Sequence, residues 1–289
     1  MAEGEAIVVV NSLHHTYMKG TPLETTALRG VDLVIHRYEA LGMAGPAGAG
    51  KSTLAQHLTG LLRPSLPGKV IVDGQDLADP QIDIRALRQK VGLVFQFPEQ
   101  QLFERLVGDD IAFGPRQMGL SKEEVRERVR WAMEMMGLGF QEFKDRYTLS
   151  LSGGERRKVA LAGVLALQPE VLILDESTTG LDPRSRHDFL EEIKRLHQLQ
   201  GLTLIFISNH MEDLARVTKR LYILNEGRVV MEGPTRRLFS QGEELERYGL
   251  RPPPVAQITS QLQAEGLPIA EVALTVEEAE ERLWKVLNS

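Results

Sequence analysis

Cysteine is absent from the 289 residues, which removes a disulfide framework, a thiol nucleophile and any cysteine-based metal site, and suits a reducing compartment. A surplus of positive charge is also missing. With 34 Lys and Arg against 40 Asp and Glu, the net charge is -6. That is the wrong sign for a protein that neutralises phosphates along a duplex, so nucleic acid is not an expected partner. Long apolar runs are lacking too: the longest, Val159 to Leu167, is about half of what spans a bilayer. The first residues, Met-Ala-Glu-Gly-Glu-Ala, have neither the basic start nor the apolar core of a signal peptide. A soluble chain is expected, with one main and one minor domain and with any membrane role supplied by a partner.

What is present is more specific. Gly45-Pro46-Ala47-Gly48-Ala49-Gly50-Lys51-Ser52 fits the phosphate-cradling pattern G-x-x-x-x-G-K-[ST], followed by Thr53. Glycines let backbone N–H groups turn inward around an anion, Lys51 supplies charge to the outer phosphates and Ser52 a hydroxyl for Mg²⁺. The expected ligand is a nucleoside triphosphate. The loop has a predicted strand before it, Glu39 to Met43, and a predicted helix after it, Lys51 to Leu62, carried by Leu54, Leu58, Leu61 and Leu62 and ended by Arg63-Pro64.

Short apolar runs alternate with helical patterns along the rest of the chain, which predicts an α/β architecture with an at least partly parallel sheet. Strands are expected at Val31–Ile35, Val70–Val72 with a turn at Asp73-Gly74, Val91–Phe95, Val171–Leu174, Leu204–Ser208 and the hairpin Tyr222–Leu224 with Arg228–Met231. Ser121 to Glu124 matches a capping box, opening a helix with Val125, Val129, Ala132, Met133 and Met136 on one face. Residues about 97–150 read as a helical insert. After Gly249, Arg251-Pro252-Pro253-Pro254 breaks regular structure. Val255–Ala264 then reads as a helix, and Thr275 to Glu278 as a capping box for a terminal helix with Val276, Ala279, Leu283 and Val286 on one side.

Two further groups of residues carry chemistry. Asp175-Glu176 ends a run of four apolar residues, Val171–Leu174, and strand ends in open α/β sheets are where ligands collect. Asp175 is a candidate metal holder and Glu176 a candidate base for the water that attacks a γ-phosphate. Leu151-Ser152-Gly153-Gly154-Glu155 opens a helix, with Ser152 as N-cap and small glycines leaving the positive helix end open to an anion. This second phosphate-binding surface lacks its own lysine, which suggests that it serves a nucleotide held by another subunit.

With these residues in order, residues 5 to 245 resemble the ATP-binding cassette family. The resemblance implies a P-loop ATPase with a RecA-like core, an antiparallel β subdomain and a helical subdomain, spanning 1–247, with 248–289 as a small α-rich unit of dimerisation type. It implies ATP hydrolysis with Mg²⁺ and gives further residues a role. Gln96 becomes the glutamine-loop residue and a metal contact, Asp182 of Gly180-Leu181-Asp182 the D-loop, and Tyr17 the aromatic that stacks on adenine. A switch histidine is expected near the end of the strand that starts at Thr203. Counting without gaps puts Asn209 there and His210 one place later. His210 is favoured, with Asn209 as the alternative; adjacent strand residues point to opposite faces, so the offset matters. Glu155 stands where a glutamine is usual, and Ser177 where a proline is usual, which is expected to loosen that turn.

Three stretches narrow the resemblance to the ATPase subunits of energy-coupling-factor importers of vitamins or transition-metal ions, second ATPase type. They are Tyr17 to Glu24, Gln96 to Glu104 with Asp109 to Pro115, and the tail from near Tyr248. That resemblance implies a second ATPase subunit, in a homo- or heterodimer, a transmembrane coupling subunit, a substrate-binding membrane subunit and a peripheral place on the cytoplasmic face of the cell membrane. The rival readings are the ATPase of another ABC transporter, a soluble cassette protein, and a nucleotide-binding assembly module with degraded catalysis.

Overall fold

The computed structural model describes residues 4–66 and 68–288. Two sheets are stacked. In the first, β1 (Ala6–Tyr17), β2 (Thr25–His36), β4 (Val70–Val72) and β5 (Gln75–Asp76) pair antiparallel in the order β2-β1-β4-β5. The second has the order β10-β9-β3-β8-β7-β6 and contains β3 (Ala40–Ala44), β6 (Val91–Val94), β7 (Val171–Asp175), β8 (Thr203–Ile207), β9 (Arg220–Asn225) and β10 (Arg228–Pro234). All of its pairings are parallel except the β9–β10 hairpin.

β7 and β8 are buried along their whole length, as their unbroken apolar runs require of strands covered on both faces. Period 2 divides them between two cores. Ile173, Ile205 and Ile207 pack with Leu41, Met43, Leu54 and Leu58 against Ile7, Val8, Val10 and Ile35 of the antiparallel sheet. Leu172, Leu174, Leu204 and Phe206 face the other way, into the helices.

Those helices are numbered along the chain. α1 (Lys51–Leu58) and α2 (Ile84–Lys90) precede β6. Between β6 and β7 come α3 (Val107–Gln117), α4 (Lys122–Met135), α5 (Phe140–Phe143) and α6 (Gly153–Leu165). α7 (Pro183–Gln200) and α8 (Met211–Val217) flank β8, and α9 (Thr235–Phe239), α10 (Gly242–Arg247), α11 (Pro254–Ala264) and α12 (Val276–Leu287) end the chain. α4 starts with the expected capping box, Ser121 Oγ accepting from Glu124 N while Glu124 accepts from Ser121 N, and buries Val125, Val129, Ala132 and Met133, with Met136 buried at its C-cap. The tail is not loose. Leu250, Ala256 and Val272 belong to the helix-side core, and Arg236 of α9 pairs with Glu278 at 2.8 Å and Glu271 at 3.2 Å. Among the described residues, no helix is long and apolar enough to cross a membrane.

Several expectations need correction. α1 ends at Leu58, not Leu62: Gly60 turns left-handed at φ 64°, and Leu61 is left exposed. β1, which the apolar pattern leaves unassigned, is a strand of 12 residues. Asn11-Ser12 interrupts its alternation, and register shifts between Val10 and Leu13 absorb the break as a bulge. At α12 the capping box is only half formed. Thr275 accepts from Glu278 N, but the Glu278 carboxylate bonds Leu274 N and Arg236 instead of closing on Thr275. Val276 is exposed rather than packed, because Ala279 sets the buried face.

Candidate nucleotide site

Strand order builds the site. β3, β8, β7 and β6 are parallel neighbours, with Met43 opposite Ile207, Asp175 opposite Ile207 and Val94 opposite Leu174. Their C-terminal ends therefore share one edge of the sheet, and to that edge they deliver Gly45–Ser52, Asn209-His210, Asp175-Glu176 and Gln96. Sequence separations of up to 165 residues, Gly45 to His210, collapse to one line of four neighbouring strands.

The loop after β3 demands glycine at two places. A Cβ on Gly45 would lie 2.1 Å from Leu224 O, and one on Gly50 2.6 Å from Ala27 O. Gly50 also holds φ 101° as N-cap of α1, a conformation that side chains disfavour. Lys51 is buried, its Nζ donating to Gly45 O at 2.7 Å and Pro46 O at 3.1 Å. Burial lowers its pKa, opposed by the nearby Glu176 and Asp175 charges. Ala47, Gly48 and Ser52 are exposed, so the open side of the cradle faces solvent, whereas Ala49 and Thr53 are buried and Pro46 half-buried.

Asp175 and Glu176 lie opposite this cradle. Burial raises the pKa of both carboxyls; a hydrogen bond with Ser52 and the Lys51 charge pull Asp175 back down, and Lys51 does the same for Glu176. Asp175 Oδ1 and Glu176 Oε1 are buried without a hydrogen-bond partner among the described residues. Unsatisfied buried acceptors beside a serine hydroxyl fit a hard cation, which takes oxygen ligands. Glu176 has φ 51°, uncommon for a residue with a side chain. Its own N–H bonds Ile207 O at 2.9 Å.

Ser177 does not loosen the following turn. It is fully buried, Thr179 N bonds Glu176 O at 3.1 Å, and Thr178 Oγ1 donates to Asp213 Oδ2 at 2.7 Å while Arg186 Nε donates to Asp213 Oδ1 at 2.7 Å. Asp213 is almost wholly buried. Thr178, Arg186 and Asp213 thus anchor the acidic turn to α7 and α8, a role the sequence reading misses because no local pattern links them. Asn209 and His210 are exposed. The Asn209 backbone N–H bonds the Glu176 carboxylate, and the His210 charge lies near enough to favour its ionised form.

Tyr17 ends β1, and its hydroxyl lies 3.2 Å from Thr53 Oγ1 in the first turn of α1. The ring is partly exposed beside the phosphate loop and is met edge-on by His15 at 4.4 Å. Gln96 is exposed just beyond β6.

The 151–155 segment belongs to the start of α6 rather than to a strand end. Ser152 caps α6 in a complete capping box with Glu155. A Cβ on Gly153 or Gly154 would meet nothing within 4 Å, so this helix end is open. Glu155 has a defined task there, accepting from Ser152 N at 2.7 Å and pairing with Arg146 at 3.1 Å; the Ser152 N–H holds its carboxyl below the usual range. Asp182 is an exposed N-cap of α7.

A phosphate loop at the end of a central parallel strand, with an acidic pair, one member buried and one half-buried, at the end of a strand near it, defines a P-loop nucleoside triphosphatase. The family model described as ABC transporter matches residues 28–179. The energy-coupling factor transporter ATP-binding protein EcfA2 of Clostridium perfringens is 43% identical over 282 residues, covering 98% of this chain and 99% of the relative. That of Symbiobacterium thermophilum is 45% identical over 272 residues, 94% and 93% of the two chains. Among solved structures, cbiO1 of Clostridium perfringens, described as part of the ABC transporter complex cbiONQ, superposes with TM-score 0.74 at 33% identity over 90% of this chain and 99% of that one. A dimeric ATP-binding cassette in a post-hydrolysis state with ADP and Pi gives 0.70 at 26% identity, over 79% and 99%. The chain belongs to the ABC transporter family and, within it, to the energy-coupling-factor ATP-binding proteins.

Proposed function

We propose that this chain is the ATP-binding and ATP-hydrolysing subunit of an energy-coupling-factor importer, working as one half of an ATPase pair on the cytoplasmic face of a membrane. Lys51 and the amides of Gly45–Thr53 hold the β- and γ-phosphates, Tyr17 supports the base, and Ser52, Asp175 and Gln96 hold Mg²⁺, which when bound neutralises phosphate charge. Glu176 accepts the proton of the attacking water. Burial raises its pKa and so strengthens it as a base, while the Lys51 charge foremost, then the Asn209 N–H and His210, favour its ionised form. His210 is the assigned switch residue at the γ-phosphate.

Ser152, Gly153, Gly154 and Glu155, with Asp182, serve the nucleotide of the second ATPase. The open, lysine-free end of α6 supports that reading, and the dimeric cassette with ADP and Pi offers a precedent. A transmembrane coupling subunit and a substrate-binding membrane subunit, which selects a vitamin or metal ion, complete the assembly. The division into a domain at 1–247 with a helical insert at about 97–150 and a dimerisation unit at 248–289 goes with this proposal.

The observation that carries it is the Asp175-Glu176 pair, Asp175 buried and Glu176 half-buried, each with one buried unpartnered oxygen among the described residues, facing Lys51 at a strand edge. Glu176→Gln in the assembled complex is expected to bind ATP with wild-type affinity and to lose at least 100-fold in phosphate release. Lys51→Ala is expected to weaken ATP binding at least tenfold. Wild-type turnover in the first variant removes Glu176 from its role, and unchanged affinity in the second removes Lys51. The module with degraded catalysis, in which another subunit does the hydrolysis, predicts instead that the complex releases phosphate and that Glu176→Gln leaves this release unchanged.

A further inference from the structure

We propose that Arg157 is a positioning residue that ties the Gln96 segment, the open end of α6 and the turn after Glu176 into one mechanical unit. Arg157 is only 4% exposed. Its Nε and Nη2 donate to the Glu99 carboxylate at 3.2 to 3.4 Å, and Nη2 donates also to Thr179 O at 3.0 Å. Each of these three places adjoins a different part of the site. Glu99 lies three residues after Gln96, on the 3₁₀ turn Pro98–Gln100. Arg157 lies in α6, four residues after Gly153. Thr179 lies three residues after Glu176 and three before Asp182.

The chemistry of the group argues for position rather than stability. A guanidinium stays charged at any physiological pH and is expensive to bury, and an apolar side chain of similar volume commonly replaces a buried ion pair at no loss of stability. Here the burial is not even fully compensated, because Nη1 is buried without a partner among the described residues. What an apolar residue cannot supply is direction. The rigid fork fixes the orientation of Glu99 relative to the Thr179 carbonyl. If the Gln96 segment moves away, it strands a buried cation; if the turn moves, it loses the bond to Thr179. A displacement of either segment is therefore opposed unless α6 and the other segment follow, and α6 carries Ser152–Gly154 with it. The link joins the residue assigned to the metal with those assigned to hydrolysis and to the partner's nucleotide. It rests on the ATPase reading above.

The test uses the complete transporter complex with Mg²⁺-ATP, comparing wild type with Arg157→Met, Arg157→Lys, Glu99→Leu and the double variant Arg157→Met/Glu99→Leu. A positioning role predicts at least a tenfold fall in kcat for Arg157→Met with KM for ATP changed less than twofold. Arg157→Lys keeps charge without the fork and should recover at most a small part. The double variant leaves no charge unpaired, so its thermal stability returns to wild type or above while kcat stays low, and the two substitutions are non-additive in kcat. Recovery of kcat together with stability in the double variant overturns the proposal, since Arg157 then acts only in packing; so does wild-type kcat in a folded Arg157→Met complex. A readout independent of turnover is hydrogen exchange on adding ATP without hydrolysis. Amides of 96–103 and 176–182 should gain protection together in wild type and separately in the double variant. If the wild-type complex binds ATP but releases no phosphate, the ATPase reading fails and this exchange experiment alone decides for Arg157. Joint protection that survives in the double variant overturns it.

Discussion

Lys51 is the strongest of the groups that favour the ionised form of Glu176, and the two others, Asn209 and His210, respond differently to mutation. The N–H of Asn209 is backbone and survives any side chain at that position except proline. The charge of His210 is lost with its side chain. His210→Ala is therefore expected to lower kcat of the complex at least tenfold and Asn209→Ala no more than threefold, as measured by steady-state phosphate release; the reverse order would make Asn209 the switch residue. A second residue-scale effect lies behind Tyr17. His57 is buried in α1 with Nε2 3.1 Å from His15 Nδ1, and burial together with His15 pushes its pKa down to about 4. The unfolded chain protonates this histidine near 6.5, so between these values the unfolded state binds more protons and stability rises with pH. The contribution of His57 is complete above about pH 6.5 and is lost as pH falls towards 4. Urea titrations across this window are expected to show a steeper loss of stability on acidification in wild type than in His57→Gln.

At the scale of elements, caps and strand ends do most of the positioning. α4 and α6 each begin with a complete capping box, and in both cases the local sequence, Ser followed three places later by Glu, is sufficient to fix the start. Ser121→Ala is expected to cost about 1 kcal/mol, read as a lower urea midpoint with an unchanged m-value and, because α4 does not carry site residues, with unchanged ATP affinity. Local signals were weaker where tertiary contacts competed. The helical spacing of Leu54, Leu58, Leu61 and Leu62 continues past the end of α1, yet Gly60 ends it and Ile84 of α2 occupies the space a longer side chain there would need. β1 escaped the apolar pattern because its bulge shifts the alternation. Glu278 has a cap's spacing but is drawn to Arg236, 42 residues away.

For the whole molecule, the tail is joined to the rest of the fold by a few definite contacts. Arg236 donates to Val272 O and pairs with Glu271 and Glu278, while Leu250, Ala256 and Val272 enter the helix-side core. Arg236→Ala leaves two carboxylates without their main partner and should release α12 before the core melts. Limited proteolysis is expected to cut the variant at residues 265–275 faster than wild type, with ATP binding retained, since no nucleotide-site residue lies beyond His210. Equal cleavage rates would show that the apolar contacts alone hold the tail.

Phosphate loop, acidic pair, capped helix starts and buried parallel strands were all legible because each is local: a pattern of two to eight residues whose chemistry depends on neighbours in sequence. The sequence alone thus determined the ligand class, and it carries the proposals of a Mg²⁺ site and of a second chain that uses Ser152–Glu155. The tertiary structure decided which of these pieces meet. The strand order β3-β8-β7-β6 brings Lys51, Glu176, Gln96 and His210 to one edge, the end of β1 sets Tyr17 against Thr53, and Arg157 finds Glu99 across 58 residues. Pairings of that range depend on which strands become neighbours and which helix faces pack, and those are properties of the assembled core rather than of any local stretch.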